Sequence, residues 1–460
     1  MVSEHENAED RGRLPAHEVR EVVETSLCLL ENKQREGRHR FVAFNLGFLP
    51  NLSYVNIAAD CYMNIVSNHI LSYDKVSRPY VTYDLPKVVT PTQQFTKYSF
   101  YLMTGFWPEQ VSAISDEWTL IPEMVQCRKT RCAATKEQAI FLLLRRWHLP
   151  TSWEIVSKDM RQQRSWCILI YYELFYLLAQ HYRKLVRVLD YRRIMPLLES
   201  WGVQMNEHCG TNPSVLFFTD GKPWRMSRPG RGETVRQICE AAGCGDINLM
   251  QRAYYNGHYK YHGAKVQHVL QADGMVYSFT CPIRNHDAMV LRNSAMHEML
   301  CALYINGDPD RPVHVVTDKA YGRNDHFRPH HTAAELAQLL PADRVVQTEF
   351  DRRHRKARLA IEDSFNQQVM KFRLSDHFQS HKITVNSRSN WNTLRCLWDL
   401  QSLFFNLFTC LSGSQVTGVL GVTPPTLQEY LYSCNQGLLI NQPFEDAEEE
   451  FQRNNDYFIN

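Results

Sequence analysis

Two short apolar runs, Val215–Thr219 and Val313–Thr317, stand out along the chain, and an aspartate follows each of them. Short runs rich in Val and Phe predict strands buried on both faces. Between them, Ala264–Gln271 and Met275–Thr280 flank Ala272-Asp273-Gly274 and predict a β-hairpin. Ala288–Leu303 predicts a helix with Asp287 in an N-cap position. Farther on, Thr332–Leu340 predicts a helix, Arg344–Phe350 a short strand and Arg352–Phe372 a long helix. A connection from the third strand through a helix to the fourth is right-handed by default and brings the fourth strand beside the first. Asp220 and Asp318 would then end adjacent parallel strands, where an open α/β sheet places its ligand site.

The first half follows another pattern. From Phe106, with Pro108 at a helix start, Val111, Ile114, Trp118 and Leu120 recur at helical spacing. Thr135-Lys136-Glu137-Gln138 fits a capping box opening the helix of Ala139–Arg146. Pro150 breaks the chain, Thr151 or Ser152 can cap a short helix holding Trp153, Ile155 and Val156, and a long helix is predicted from Gln163 to Leu189. This succession fits either a helix-turn-helix-like domain or an ordinary helical bundle. In the first case Arg161, Gln162, Gln163 and Arg164 would face DNA. The predicted organisation is therefore an N-terminal region, 1–100, with a disordered start, a helix near Glu18–Asn32 and a linker at Pro86–Pro91. An all-α domain at 101–205 and an α/β domain at 211–412 follow, then an acidic tail at 413–460. The strand and helix order of 211–412 fits a ribonuclease H-like domain, a mixed five-stranded sheet with flanking helices.

Composition narrows the function classes. The 460 residues are 44% hydrophobic and 12% aromatic, which suits a globular chain with a sizeable core. The formal charge of +2 means that any basic footprint must be local. Glu445–Glu450 concentrates acid near the C-terminus. The polar start predicts no secretory signal. The longest apolar stretch, Trp166–Ala179, is short and contains Glu173, so it predicts a buried helix and no membrane span. The 13 cysteines fit reduced core thiols of a cytosolic or nuclear protein. Cys127/Cys132 and Cys239/Cys244 lack the tight spacing of zinc pairs.

The candidate chemistry lies in Asp220, Asp318 and Glu362. Two carboxylates at neighbouring strand ends repel each other unless a cation lies between them. Mg²⁺ takes oxygen ligands, and a pair of ions can serve the attacking and leaving oxygens of one displacement; Mn²⁺ can substitute. Asp220 is the expected bridging ligand, with Asp318 and Glu362 binding one metal each. Glu362 shares a helix face with Arg358 and Arg355, which suit phosphate contact, while Ile361, Phe365 and Phe372 form the packing stripe. Taken alone, Arg358–Glu362 reads equally as a surface ion pair. Lys222, Arg225 and Lys260 are further phosphate candidates or solvated loop residues, and Asp287 is a fourth acid or a helix cap. Gln401–Leu411 reads as a core helix.

Five stretches carry a family resemblance: Thr219-Asp220-Gly221, Tyr255–His262, Asn285-His286-Asp287, Thr317–Gly322 and Arg358–Phe365. Residues 211–410 resemble the PIF/Harbinger transposases, eukaryotic relatives of a bacterial insertion-sequence group. The resemblance implies a DDE-type, Mg²⁺-dependent DNA endonuclease and strand transferase, a hydrolase of phosphodiester bonds acting on transposon ends. The catalytic and metal-binding triad carries over to Asp220, Asp318 and Glu362. The implied partners are terminal inverted repeats, target DNA, further copies of the chain in a homo-oligomer, and a Myb-like DNA-binding protein that helps nuclear entry. Two positions depart from the family pattern: Asn366 stands for its glycine, and Val369 for its lysine. The alternative is a domesticated, non-catalytic DNA-binding or scaffold protein.

Overall fold

The computed structural model describes residues 91–439 except 128, 129, 131, 231–246, 293, 378–380 and 382–392. They belong to one compact unit, Lys87–Asn460. The predicted helix at Glu18–Asn32, residues 86–90 of the linker, Cys239/Cys244 and the acidic run 445–450 lie outside the described residues.

The helical half contains α1 (Lys97–Thr104), α2 (Pro108–Glu117), a hairpin of β1 (Met124–Gln126) and β2 (Ala133–Thr135), α3 (Lys136–His148), α4 (Trp153–Met160), α5 (Arg164–His181) and α6 (Leu198–Cys209). The capping box forms as the residues predict: Thr135 Oγ1 accepts from the Gln138 N–H, and Gln138 Oε1 accepts from the Thr135 N–H. The sheet holds β3 (Val215–Arg225), β4 (Tyr255–Asn256), β5 (Tyr261–Gln271), β6 (Val276–Pro282), β7 (His314–Thr317) and β8 (Phe327–Pro329). The remaining helices are α7 (Ile247–Ala253), α8 (Asp287–Arg292), α9 (Ala295–Cys301), α10 (Ala333–Gln338), α11 (Pro341–Lys371), α12 (Thr393–Ser412), α13 (Gln415–Leu420) and α14 (Leu427–Asn435).

β7 lies parallel to β3 on one side and to β8 on the other, whereas β5 is antiparallel to β3 and to β6. Five strands run β6-β5-β3-β7-β8, and the two-residue β4 adds a sixth on β5. The fourth strand of the five thus sits beside the first. Val215–Thr219 is wholly buried, matching its unbroken apolar pattern. α11 packs across β3, β5 and β7, and α12 across β6. The His268 ring of β5 stacks on Phe365 of α11, with centroids 3.9 Å apart, and accepts from Trp398 Nε1 at 3.1 Å. These contacts tie α11 and α12 to β5.

Several expectations need correction. Arg344–Phe350 is not a strand but part of the 31-residue α11. Val345 and Val346 favour strand locally, yet both are 71% exposed, with no sheet neighbour to reward extension. Pro341 at the helix start and the propagating backbone ladder carry the helix through them. The fifth strand is Phe327–Pro329, three residues recruited by pairing with β7.

A separate helix-turn-helix-like module is also unsupported. The β1–β2 hairpin separates α2 from α3, and the helices share one core with α11 and α12. Phe404 of α12 meets Trp118 and Trp147 edge-on, both at 5.3 Å, and Trp147 meets Phe372 at the C-cap of α11. The predicted acidic tail at 413–460 opens with two helices. α13 and α14 bury Val416, Leu420, Leu427, Tyr430 and Leu431. Among the described residues no helix is long and apolar enough to cross a membrane.

Because Phe404 joins the two halves, Phe404→Ala should cost about 3–5 kcal/mol. Thermal melting followed by tryptophan fluorescence and by far-UV dichroism should show both signals shifting down together. A drop in one alone would mean that the halves unfold separately.

Candidate active site

β3 runs past Asp220 to Arg225 on its β5 side, but its parallel pairing with β7 ends at Phe218–Val316. Asp220 therefore stands where the sheet splays, two residues beyond the last parallel pair. Asp318 follows β7 directly. Its Oδ1 accepts from the Lys319 N–H at 2.6 Å, opening the single turn Lys319–Tyr321. Glu362 lies on the exposed side of α11, adjoining the buried Ala360, Ile361 and Phe365 that seat the helix.

Arg358, one helical turn before Glu362, links two of these acids. It donates from Nη1 to Asp220 Oδ2 at 3.1 Å and from Nη2 to Glu362 Oε1 at 3.0 Å. The expected i,i+4 pair therefore exists, but it also reaches across to the sheet. Burial pushes the Asp220 carboxyl above the ordinary aspartate range. The charges of Asp287 and Asp318 push the same way, against the Gly221 N–H and Arg358. Asp220 and Asp318 are thus close enough to sense each other, and Asp220 and Glu362 share one guanidinium.

Asp287 is the first residue of α8, and its carboxylate pairs with Lys265 Nζ at 2.9 Å. It lies so close to β3 that a Cβ at Gly221 would come within 2.2 Å of Asp287 Oδ1. Only glycine admits this approach. Beneath Asp220, Gln267 Nε2 donates to Thr219 Oγ1 at 2.7 Å and to the Tyr321 hydroxyl at 2.5 Å, bracing the two strand ends.

The donor set suits a hard divalent cation: carboxylate oxygens only, one of them half-buried among other acids. The present spacing is more open than a ligand shell. Among the described residues no three His, Cys, Asp or Glu groups close tightly enough to hold a metal ion. Arg358 instead lies between Asp220 and Glu362, bonded to both.

Of the other predicted contacts, Lys222 Nζ donates to Asn366 at 3.2 Å and lies over the Phe365 ring, tying β3 to α11. Arg355 donates to the Asp351 carbonyl along its own helix. Lys260 sits in a left-handed turn, φ +58°, away from the carboxylates along β5. Arg161 also has a left-handed backbone at the end of α4, and Arg164 pairs with Glu154 at 2.5 Å. Neither helical-half arginine approaches the carboxylates in any described contact.

The pattern of residues did not single out His330. It follows β8 as Asp318 follows β7, and the Thr317–Pro329 pairing makes them neighbours. Its Nε2 is buried without a described hydrogen-bond partner, and burial holds the imidazole below the usual histidine range. Placing the last strand at 344–350 hid this position.

Residues 240–393 match a family model described as DDE superfamily endonuclease. That points to a transposase-type nuclease domain. The matched segment contains Asp318 and Glu362, while Asp220 precedes it. No curated protein and no solved structure matches the chain.

Proposed function

We propose that this protein is a divalent-metal-dependent DNA endonuclease and strand transferase of the PIF/Harbinger type, built on a ribonuclease H-like sheet. The observation that carries the reading is the grouping of Asp220, Asp318 and Glu362: two acids beyond adjoining parallel strand ends, and the third tied to the first through Arg358. Asp220, Asp318 and Glu362 would hold the metal, Mg²⁺ or Mn²⁺. When bound, such ions neutralise charge on the oxygens exchanging at a phosphodiester. Arg358 keeps the acids neutralised in the resting site. With those acids engaged by cations, its guanidinium is free to bind the DNA phosphate. The remaining parts of the reading are transposon ends and target DNA as substrates, a homo-oligomer, and nuclear entry with a Myb-like partner.

The test is nicking of DNA carrying the element's inverted repeats by the purified full chain. Nicking should require Mg²⁺ or Mn²⁺ and disappear with EDTA. An Arg358→Ala variant should raise KM for DNA and retain metal binding, whereas Glu362→Gln should weaken metal binding measured by calorimetry. A chain that binds no Mg²⁺ by calorimetry overturns the enzyme reading.

One observation favours a second reading, a domesticated DNA-binding or scaffold protein. Arg358 already pairs with both Asp220 and Glu362, an arrangement that needs no metal. The same calorimetry separates the two.

A further inference from the structure

Beyond the far end of the β3–β5 ladder lies a cleft of about 680 Å³ between α7, β4 and the residues after β6. Its lining includes Arg228, Arg252, Arg284, His262, Asn248 and Tyr255, and no carboxylate among the described residues. The three arginines are exposed, and Arg252 and Arg284 form no ion pair with a described residue. Three exposed arginines lining one cleft suit an anionic ligand. Burial, and then the charge of Arg228, hold His262 below the usual histidine range.

Aromatic faces accompany the charge. Tyr255 is 40% exposed and backed by the His262 ring at 5.1 Å. Next to it, the 47%-exposed Tyr259 stacks on Tyr261 at 5.5 Å, and Arg225 lies over Tyr261. The turn carrying these rings is pre-shaped. Asn256 Oδ1 accepts from the N–H groups of His258 and Tyr259, and Lys260 closes the turn with its positive φ. Exposed rings on a rigid turn beside convergent arginines match the stacking-plus-phosphate chemistry of single-strand binding.

We propose that this cleft and the Tyr255–Tyr261 turn bind an unpaired DNA strand, the arginines holding its phosphates and Tyr255 stacking on a base. The inference rests on the endonuclease reading for its choice of DNA. The geometry suits a strand leaving the carboxylates: from Asp220 to Arg225 the strand spans about 17 Å, a few nucleotides. A second aromatic pair outside the cleft argues for a continuing strand over a lone nucleotide.

The test is fluorescence anisotropy with the full chain in EDTA. The ligands are a labelled single-stranded oligodeoxynucleotide of mixed sequence, the same strand with abasic sites, its duplex, and dAMP as competitor. Arg252→Ala/Arg284→Ala should weaken single-strand binding about tenfold or more and lower the salt slope by about 1.4. Tyr255→Ala should weaken binding about tenfold, Tyr255→Phe should not, and the abasic strand should bind the wild type and Tyr255→Ala alike. Binding should also raise the titration midpoint of His262 in NMR spectra. Equal affinity for duplex, effective competition by dAMP, or a salt slope unmoved by the arginine changes would each overturn the proposal. Mg²⁺-dependent nicking measured in parallel separates the two readings. Cleft-independent binding with normal nicking sinks only the cleft, and cleft-dependent binding without nicking sinks only the enzyme.

Discussion

Asp220→Asn should abolish DNA nicking and at the same time make the metal-free protein more stable at neutral pH. The first effect follows from the proposed ligand role. Losing several kcal/mol of charge stabilisation, at 1.36 kcal/mol per decade, lowers the rate about a thousandfold or more. The second follows from the raised folded-state affinity of Asp220 for its proton. A carboxyl whose folded pKa lies above its unfolded value favours the fold most below the unfolded value of about 3.9. That contribution is lost as pH rises through the folded pKa, so at pH 7 the ionised Asp220 is a net cost. Asparagine keeps the shape and removes the charge. The melting temperature of Asp220→Asn should therefore exceed that of the wild type at pH 7, and the gap should close toward pH 3. Adding Mg²⁺ should stabilise the wild type and leave the variant unmoved, since only binding to the folded state shifts the equilibrium. Unchanged nicking in the variant would remove Asp220 from the site. Loss of activity together with lower stability would mean that Asp220 serves mainly as Arg358's structural partner.

The second large effect is expected far from the carboxylates. Asp399 of α12 is fully buried; it accepts from Arg183 Nε at 2.7 Å, with Arg187 at 3.5 Å and the Ser278 hydroxyl at 3.4 Å. It thus joins the turn after α5 to β6 and α12. Removing one partner of a buried ion pair leaves an uncompensated charge, at about 3–5 kcal/mol. Asp399→Ala should unfold well below the wild type in urea, and Asp399→Asn should lose most of the same stability because two arginines remain facing a neutral amide. Replacing the cluster together, Asp399→Leu with Arg183→Met and Arg187→Met, should recover much of the loss. A mild effect of Asp399→Ala would mean that water reaches the arginines once the carboxylate is gone. Nicking per folded molecule should stay near wild type, because no described contact links Asp399 to the carboxylate site.

Some of this architecture was written in local patterns. Val215–Thr219 is a buried strand because an unbroken apolar run suits a two-sided core, and His314–Thr317, which opens on a half-buried histidine, pairs beside it in parallel as the right-handed rule expects. The Thr135–Gln138 capping box and the Asp273-Gly274 hairpin needed only near neighbours, so they too were legible. The spacing of Arg358 and Glu362 on one helix face followed from the helical repeat alone.

Other features depend on distant partners. β8 is a strand only because β7 offers it hydrogen bonds, and Arg344–Phe350 is helix because no strand stands there to pair with it. The helical half lost its independence when Trp118 and Trp147 closed on Phe404, more than 250 positions later, a contact no periodicity encodes. Arg358 reaching Asp220, Asp287 pressing on Gly221 and His330 beside Asp318 likewise arise where separate elements meet. Short-range sterics and burial pattern are properties of contiguous residues, and those the chain alone determined. Which acids, rings and guanidiniums face one another is decided by how the elements pack, and only the tertiary structure holds that.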